Sequence, residues 1–139
     1  MIREAEPGDM AAIAALVREL GYDVTDADIG ARLAAFGKAG HHVLVADRGD
    51  VIGVLTTGLM TVLHRPRPVG RISMMVVAEQ VRGQGVGAAL VAEAEARLRS
   101  AGCGMIEVTS NVRRQRAHAF YERLGYERTS HRFAKQLQE

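Results

Sequence analysis

A mixed α/β fold is predicted for this 139-residue chain by three features of its apolar pattern. Two apolar stretches, 42–46 and 51–59, flank the turn Asp47-Arg48-Gly49-Asp50, the arrangement of an antiparallel hairpin. A third stretch, 71–78, is apolar almost throughout and runs through a glycine-rich turn into a long amphipathic segment ending near Ser100. A further apolar strand follows at 105–110. Hairpins joined to a strand–helix–strand crossover call for a mixed sheet covered by helices.

The elements follow in order. Residues 2–5 alternate weakly as a short strand, and Pro7-Gly8-Asp9 breaks the chain with Asp9 placed as an N-cap. Met10, Ile13, Leu16, Val17 and Leu20 recur at helical spacing until Gly21. A second helix is expected over 26–36, capped by Thr25, with Ile29, Leu33 and Phe36 on one face. After the hairpin, residues 60–68 form a loop holding two of the three prolines. The 71–78 strand reads as buried on both faces or nearly so. The helix after the glycines buries Val86, Leu90, Val91, Ala94 and Leu98 and exposes Glu93, Glu95, Arg97 and Arg99. Residues 114–124 form a last helix ended by Gly125, and 126–129 and 132–137 read as two closing strands. With no repeat, linker or low-complexity run, one domain over 1–139 is the simplest organisation.

Composition narrows the function classes. An apolar fraction of 47% and a charged fraction of 24% are those of a globular chain with a real core. A net charge of +2 does not by itself call for a nucleic-acid or membrane partner. Cys103 is the single cysteine, which excludes an intrachain disulfide and a cysteine-built zinc site, and no metal is expected. Residues 1–9 lack the apolar core of a secretory signal, and no apolar run approaches the length of a bilayer span, so a cytoplasmic protein is expected.

The chemistry is expected at Arg82-Gly83-Gln84-Gly85-Val86-Gly87-Ala88. Glycines between a strand and a helix let the main chain approach a ligand closely, and the unpaired N–H groups of the helix start attract an anion. Arg82 and Gln84 add donors, an arrangement suited to a pyrophosphate. A plain tight turn is the competing reading. A Walker loop is excluded because Ala88 and Ala89, not Lys and Ser/Thr, follow Gly87. The spacing of Gly83, Gly85 and Gly87 also misses the dinucleotide fingerprint.

Arg82 to Gly87 resembles the R/Q-x-x-G-x-G/A signature of the GNAT superfamily of N-acetyltransferases. The segment Ala117-His118-Ala119-Phe120-Tyr121-Glu122-Arg123-Leu124-Gly125-Tyr126 resembles that superfamily's late helix and turn, and the element order matches over essentially the whole chain. The resemblance implies a central mixed sheet of about six or seven strands flanked by about four helices and splayed between the fourth and fifth strands. It implies acetyl-CoA as cosubstrate. Main-chain groups of Met75 and Val77 would pair with the pantetheine arm, and residues 82–88 would hold the pyrophosphate. Asn111 and Tyr121 would line the thioester end, with Tyr121 as the acid that protonates the departing thiolate. Related small transferases often form homodimers.

Other assignments stay open. The strand before the loop, Ile72-Ser73-Met74-Met75-Val76-Val77, lacks the glutamate that several superfamily members use as base. Glu107 is the candidate to hold a water that deprotonates the amine, or else a solvent-facing or arginine-paired strand residue. Histidines 41, 42, 64, 118 and 131 are further candidates, as is the absence of a dedicated base. Tyr121 could instead pack beside Phe120 with its hydroxyl on a backbone group. Asp23, Asp26 and Asp28 could attract an amine or cap a helix, and His64, Arg65, Arg67 and Arg71 could bind a carboxylate-bearing acceptor or be a solvated loop. Residues 122–135 resemble members related to aminoglycoside 6′-N-acetyltransferases, which points to a small amine. Arg113, Arg114 and Arg116 suit either nucleic acid or the 3′-phosphate of CoA, but scarce aromatics argue against nucleic acid. The expected function is acetyl transfer from acetyl-CoA to a primary amine of an amino acid, polyamine or aminoglycoside-like molecule. The alternatives are an inactive acyl-CoA-binding module and a protein N-terminal or lysine acetyltransferase.

Overall fold

The computed structural model describes residues 1–110 and 113–138, which form two compact units, Met1–Val108 and Thr109–Glu139. The first unit is a five-stranded sheet in the order β1 (Ile2–Glu4), β2 (His42–Asp47), β3 (Val51–Met60), β4 (Val69–Val77) and β5 (Met105–Val108). Every neighbouring pair is antiparallel except β4 and β5, which are parallel and joined through the crossover helix α3 (Val86–Ser100). Helices α1 (Met10–Glu19) and α2 (Asp26–Lys38) complete the unit.

Alternation along the strands divides the core into two layers. Val43, Val45, Val54 and Val76 pack with Ile13, Leu16 and Val17 of α1 and Ile29 of α2. The opposite face meets α3: a β-carbon at Gly53 would come to 3.0 Å of Leu90, and one at Gly70 to 2.9 Å of Leu98. Glycine at these positions lets α3 lie close on the sheet. Thr25 caps α2 as its sequence suggests, with Asp28 N–H donating to Thr25 Oγ1 at 3.0 Å and Thr25 N–H to Asp28 Oδ2 at 2.9 Å. Asp9 stands at the N-cap of α1, but its carboxylate does not cap that helix. It accepts from Glu6 N–H at 2.7 Å and from both terminal nitrogens of Arg3, tying β1 to the turn before α1.

Two expectations are revised. Met74, Met75 and Val77 are half-exposed, because the β5 ladder ends before reaching them. In the second unit, α4 (Gln115–Arg123) ends at Gly125, where φ is +95°, but residues 126–137 carry no strand. Phe133 and Leu137 are almost fully exposed, and Lys135 and Gln136 interrupt the apolar run between them.

Candidate functional site

The parallel ladder pairs Arg71 with Glu107 and Ile72 with Val108, then stops, while β4 runs on to Val77. Ala78 N–H donates to Ile52 O at 2.8 Å, across to β3. Main-chain groups alternate sides along an extended strand, so those of Met75 and Val77 turn away from β3, to the side that β5 has left. Val77 O is engaged there by Arg82 Nε at 3.3 Å. Past Ile72, β4 therefore turns main-chain groups to a side on which its ladder with β5 has ended.

The glycine turn lies at the end of that strand. A 3₁₀ turn, Glu79–Val81, leads to Gly83 and Gly85, each at φ +82°, and α3 begins at Val86. That φ excludes an ordinary side chain without strain, and a β-carbon at either glycine would meet nothing within 4 Å. Ala89 N–H makes the first bond of α3, to Gly85 O. The N–H groups of residues 83–88 have no acceptor among the described residues. A diphosphate fits this cradle: unused donors, open space and a helix start converge on it.

Two further residues shape the turn. Arg48, at the tip of the β2–β3 hairpin, donates to Gln84 Oε1 at 3.0 Å. Glu19, at the end of α1, accepts from Glu79 N–H at 3.0 Å and lies 3.9 Å from Arg82. Neither is legible in the sequence, since each meets the turn only through the fold.

Just past the end of that ladder, β4 carries a bulge. Thr56 pairs with Met74 and Thr57 with Ile72, leaving Ser73 as the extra residue. Ser73 Oγ lies 2.7 Å from Thr56 Oγ1. A cavity of about 350 Å³ lies here, with Phe36, His41, Met60, Arg71 and Ser73 among its lining residues. Glu107 sits 3.9 Å from Arg71, so the arginine-paired reading of Glu107 describes its surroundings.

Asp28 accepts from Thr25 N–H in the cap of α2, the capping alternative weighed for it, while Asp26 lies 3.4 Å from Arg18. Arg65 and Arg67 line a separate cavity of about 210 Å³ with Gly104 and Met105, at the other end of the β4–β5 ladder. In the second unit, Tyr121 is half-buried on α4, edge-on to Phe120 at 5.1 Å and to Tyr126 at 5.8 Å. Burial pushes its phenol above the ordinary value. Asn111, expected at the thioester end, lies outside the described residues.

The mixed sheet, its crossover helix and the glycine turn ahead of that helix define the α/β class to which the chain belongs. The chain belongs to the acetyltransferase (GNAT) family, whose profile matches residues 9–126. Over 97 residues it is 37% identical to an aminoalkylphosphonate N-acetyltransferase of Salmonella typhimurium, a match covering 70% of this chain and 63% of that protein. It is 34% identical over 136 residues to an aminoglycoside N(6′)-acetyltransferase type 1 of Stenotrophomonas maltophilia, covering 92% of this chain and 86% of that one. Among solved structures, a protein of Agrobacterium tumefaciens str. C58 superposes with a TM-score of 0.88 at 27% identity, covering 98% of this chain and 99% of the other.

Proposed function

We propose that the chain is an N-acetyltransferase that moves an acetyl group from acetyl-CoA to the primary amine of a small molecule. The observation that carries this is the row of unused main-chain donors at 83–88, set at the end of a strand whose neighbour has departed. Family membership and the two N-acetyltransferase relatives support the same reading. The family match runs across both compact units, which supports treating residues 1–139 as one functional domain.

Bound acetyl-CoA supplies the activated acetyl group. Residues 82–88 hold the diphosphate: Gly83 and Gly85 through close approach, Gln84, Val86, Gly87 and Ala88 through their amides, and Arg82 through its charge. The outward main-chain groups of Met75 and Val77 would hydrogen-bond the pantetheine amides, the arm itself lying where a neighbouring strand would pair. Asn111 is assigned to the thioester end by the family resemblance. Tyr121 donates a proton to the departing sulfur, a role supported by its place in the family pattern and by burial that keeps the phenol protonated. Glu107, beside Arg71 and one residue before the ladder ends, is our candidate to accept a proton from the amine through water.

The test is acetyl-CoA binding by thermal shift, together with thiol release against a panel of amines, amino acids, polyamines, aminoglycosides and peptide N-termini. Binding with release on a small amine is the expected result. Binding without release on any amine would make the chain a non-catalytic acyl-CoA-binding module, and release on peptides alone would make it a protein acetyltransferase.

A further inference from the structure

We infer that the cavity lined by His41 and Arg71 selects an acceptor whose amine is tethered to an anionic oxyacid, a phosphonate or a carboxylate, and disfavours polycations. This rests on the transferase reading above and names the substrate class of that site. Gly58, Arg71 and Glu107 are direct cross-strand partners on β3, β4 and β5, so they form a row across the sheet. The ring of His41 covers the first position: a β-carbon on Gly58 would meet its Cε1 and Nδ1 at 3.5 Å. Two strand spacings, about 10 Å, separate the ends of the row. From one end to the other the order is imidazole, guanidinium, carboxylate.

The charges in this row have a direction. The carboxylate end is one residue from the point where the β4–β5 ladder stops, beside the stretch of β4 assigned to the thioester arm. An amine must lie at that end to be acylated. The rest of a small acceptor then extends toward Arg71 and His41. His41 lines the same cavity as Arg71, and its Nδ1 has no hydrogen-bond partner among the described residues. Phe36 stands edge-on to His41 at 5.5 Å and helps fix the ring. Arg71 offers several donors in a planar fork suited to phosphonate or carboxylate oxygens. Glu107 lies 3.9 Å from it, so the two opposite charges stand side by side in the row. A zwitterionic acceptor matches both charges at once, its ammonium toward Glu107 and its oxyanion toward Arg71. A second ammonium on the acceptor would instead be driven against the guanidinium. No carboxylate is found among the described lining residues to receive it.

The experiment measures kcat/KM on the full chain with acetyl-CoA for 2-aminoethylphosphonate, β-alanine, propylamine and spermidine. At least one oxyacid is expected to exceed propylamine by about tenfold or more, with spermidine no better than propylamine. The first two arms distinguish phosphonate from carboxylate. Arg71→Gln is expected to shrink the oxyacid preference at least fivefold, and Arg71→Lys to restore part of it; circular dichroism melts check that both variants fold. A smaller preference in the native chain, or a preference that stays within twofold in Arg71→Gln, overturns the inference. If acetyl-CoA fails to bind, or no amine is turned over, the transferase reading is what fails. Calorimetric binding of the same four amines to the native chain and to Arg71→Gln then decides the selectivity of the cavity by the same criteria.

Discussion

Tyr121 and Asp9 are both ionisable groups moved by their surroundings, in opposite directions and for opposite reasons. Burial lifts the Tyr121 phenol, so the proton it would donate stays in place through neutral and mildly alkaline solution. An acid catalyst is lost as pH rises through its pKa. The raised value therefore places any such decline in kcat above about pH 10, readable from a pH–rate profile. Tyr121→Phe should lower kcat by about tenfold to a hundredfold while leaving the acetyl-CoA KM within about twofold. Full activity in that variant would remove Tyr121 from the acid role. Asp9 is held below its ordinary value of 3.8, chiefly by the hydrogen bonds from Arg3. A carboxylate depressed on folding stabilises the fold above its unfolded pKa and loses that contribution as pH falls through the folded one. Asp9→Asn is accordingly expected to cost about 2 kcal/mol at neutral pH. Denaturant melts of the two proteins should converge as the pH drops below 3.8.

At the scale of elements, the turn before α3 combines backbone geometry with ligand chemistry. Gly85→Ala forces a β-carbon onto φ +82°, a strain of about 1 kcal/mol, yet adds no charge to the cradle. Gly85→Glu adds the same strain and a carboxylate where a diphosphate is expected. Acetyl-CoA should still raise the melting temperature of the alanine variant and should have no effect on that of the glutamate variant; equal shifts in both would displace the site from this turn. The cap of α2 is separable from the site. Thr25→Ala removes one half of a reciprocal capping box and should cost about 1 kcal/mol in a thermal melt.

Across the whole molecule, cosubstrate binding and stability are linked. Acetyl-CoA at about a hundred times its Kd should add about 2.7 kcal/mol to stability, measurable as a rise in melting temperature that grows with concentration. How much of this was legible beforehand differs by element. The apolar spacing of α1 and α3, the hairpin turn and the Thr25 cap are local signals, and local physics kept them. The glycine turn was legible because closely spaced glycines between an apolar strand and an amphipathic helix mark a connection that needs positive φ. The 126–137 segment misled because weak alternation identifies a strand only if a neighbour is there to pair with it. The burial of β4 was overestimated for a related reason: an apolar run does not say how far its partner extends.

Taken alone, the residue order determined the family, the elements from β1 to α4 and the glycine turn before α3, because each rests on signals between residues close in the chain. Only the tertiary structure decided that the β4–β5 ladder ends at Ile72 and Val108, that Ser73 bulges, that Arg48 reaches Gln84, and that Gly58, Arg71 and Glu107 share a row. Those features depend on strand register and on residues far apart in sequence, and a shift of one position in register would turn each side chain to the opposite face of the sheet.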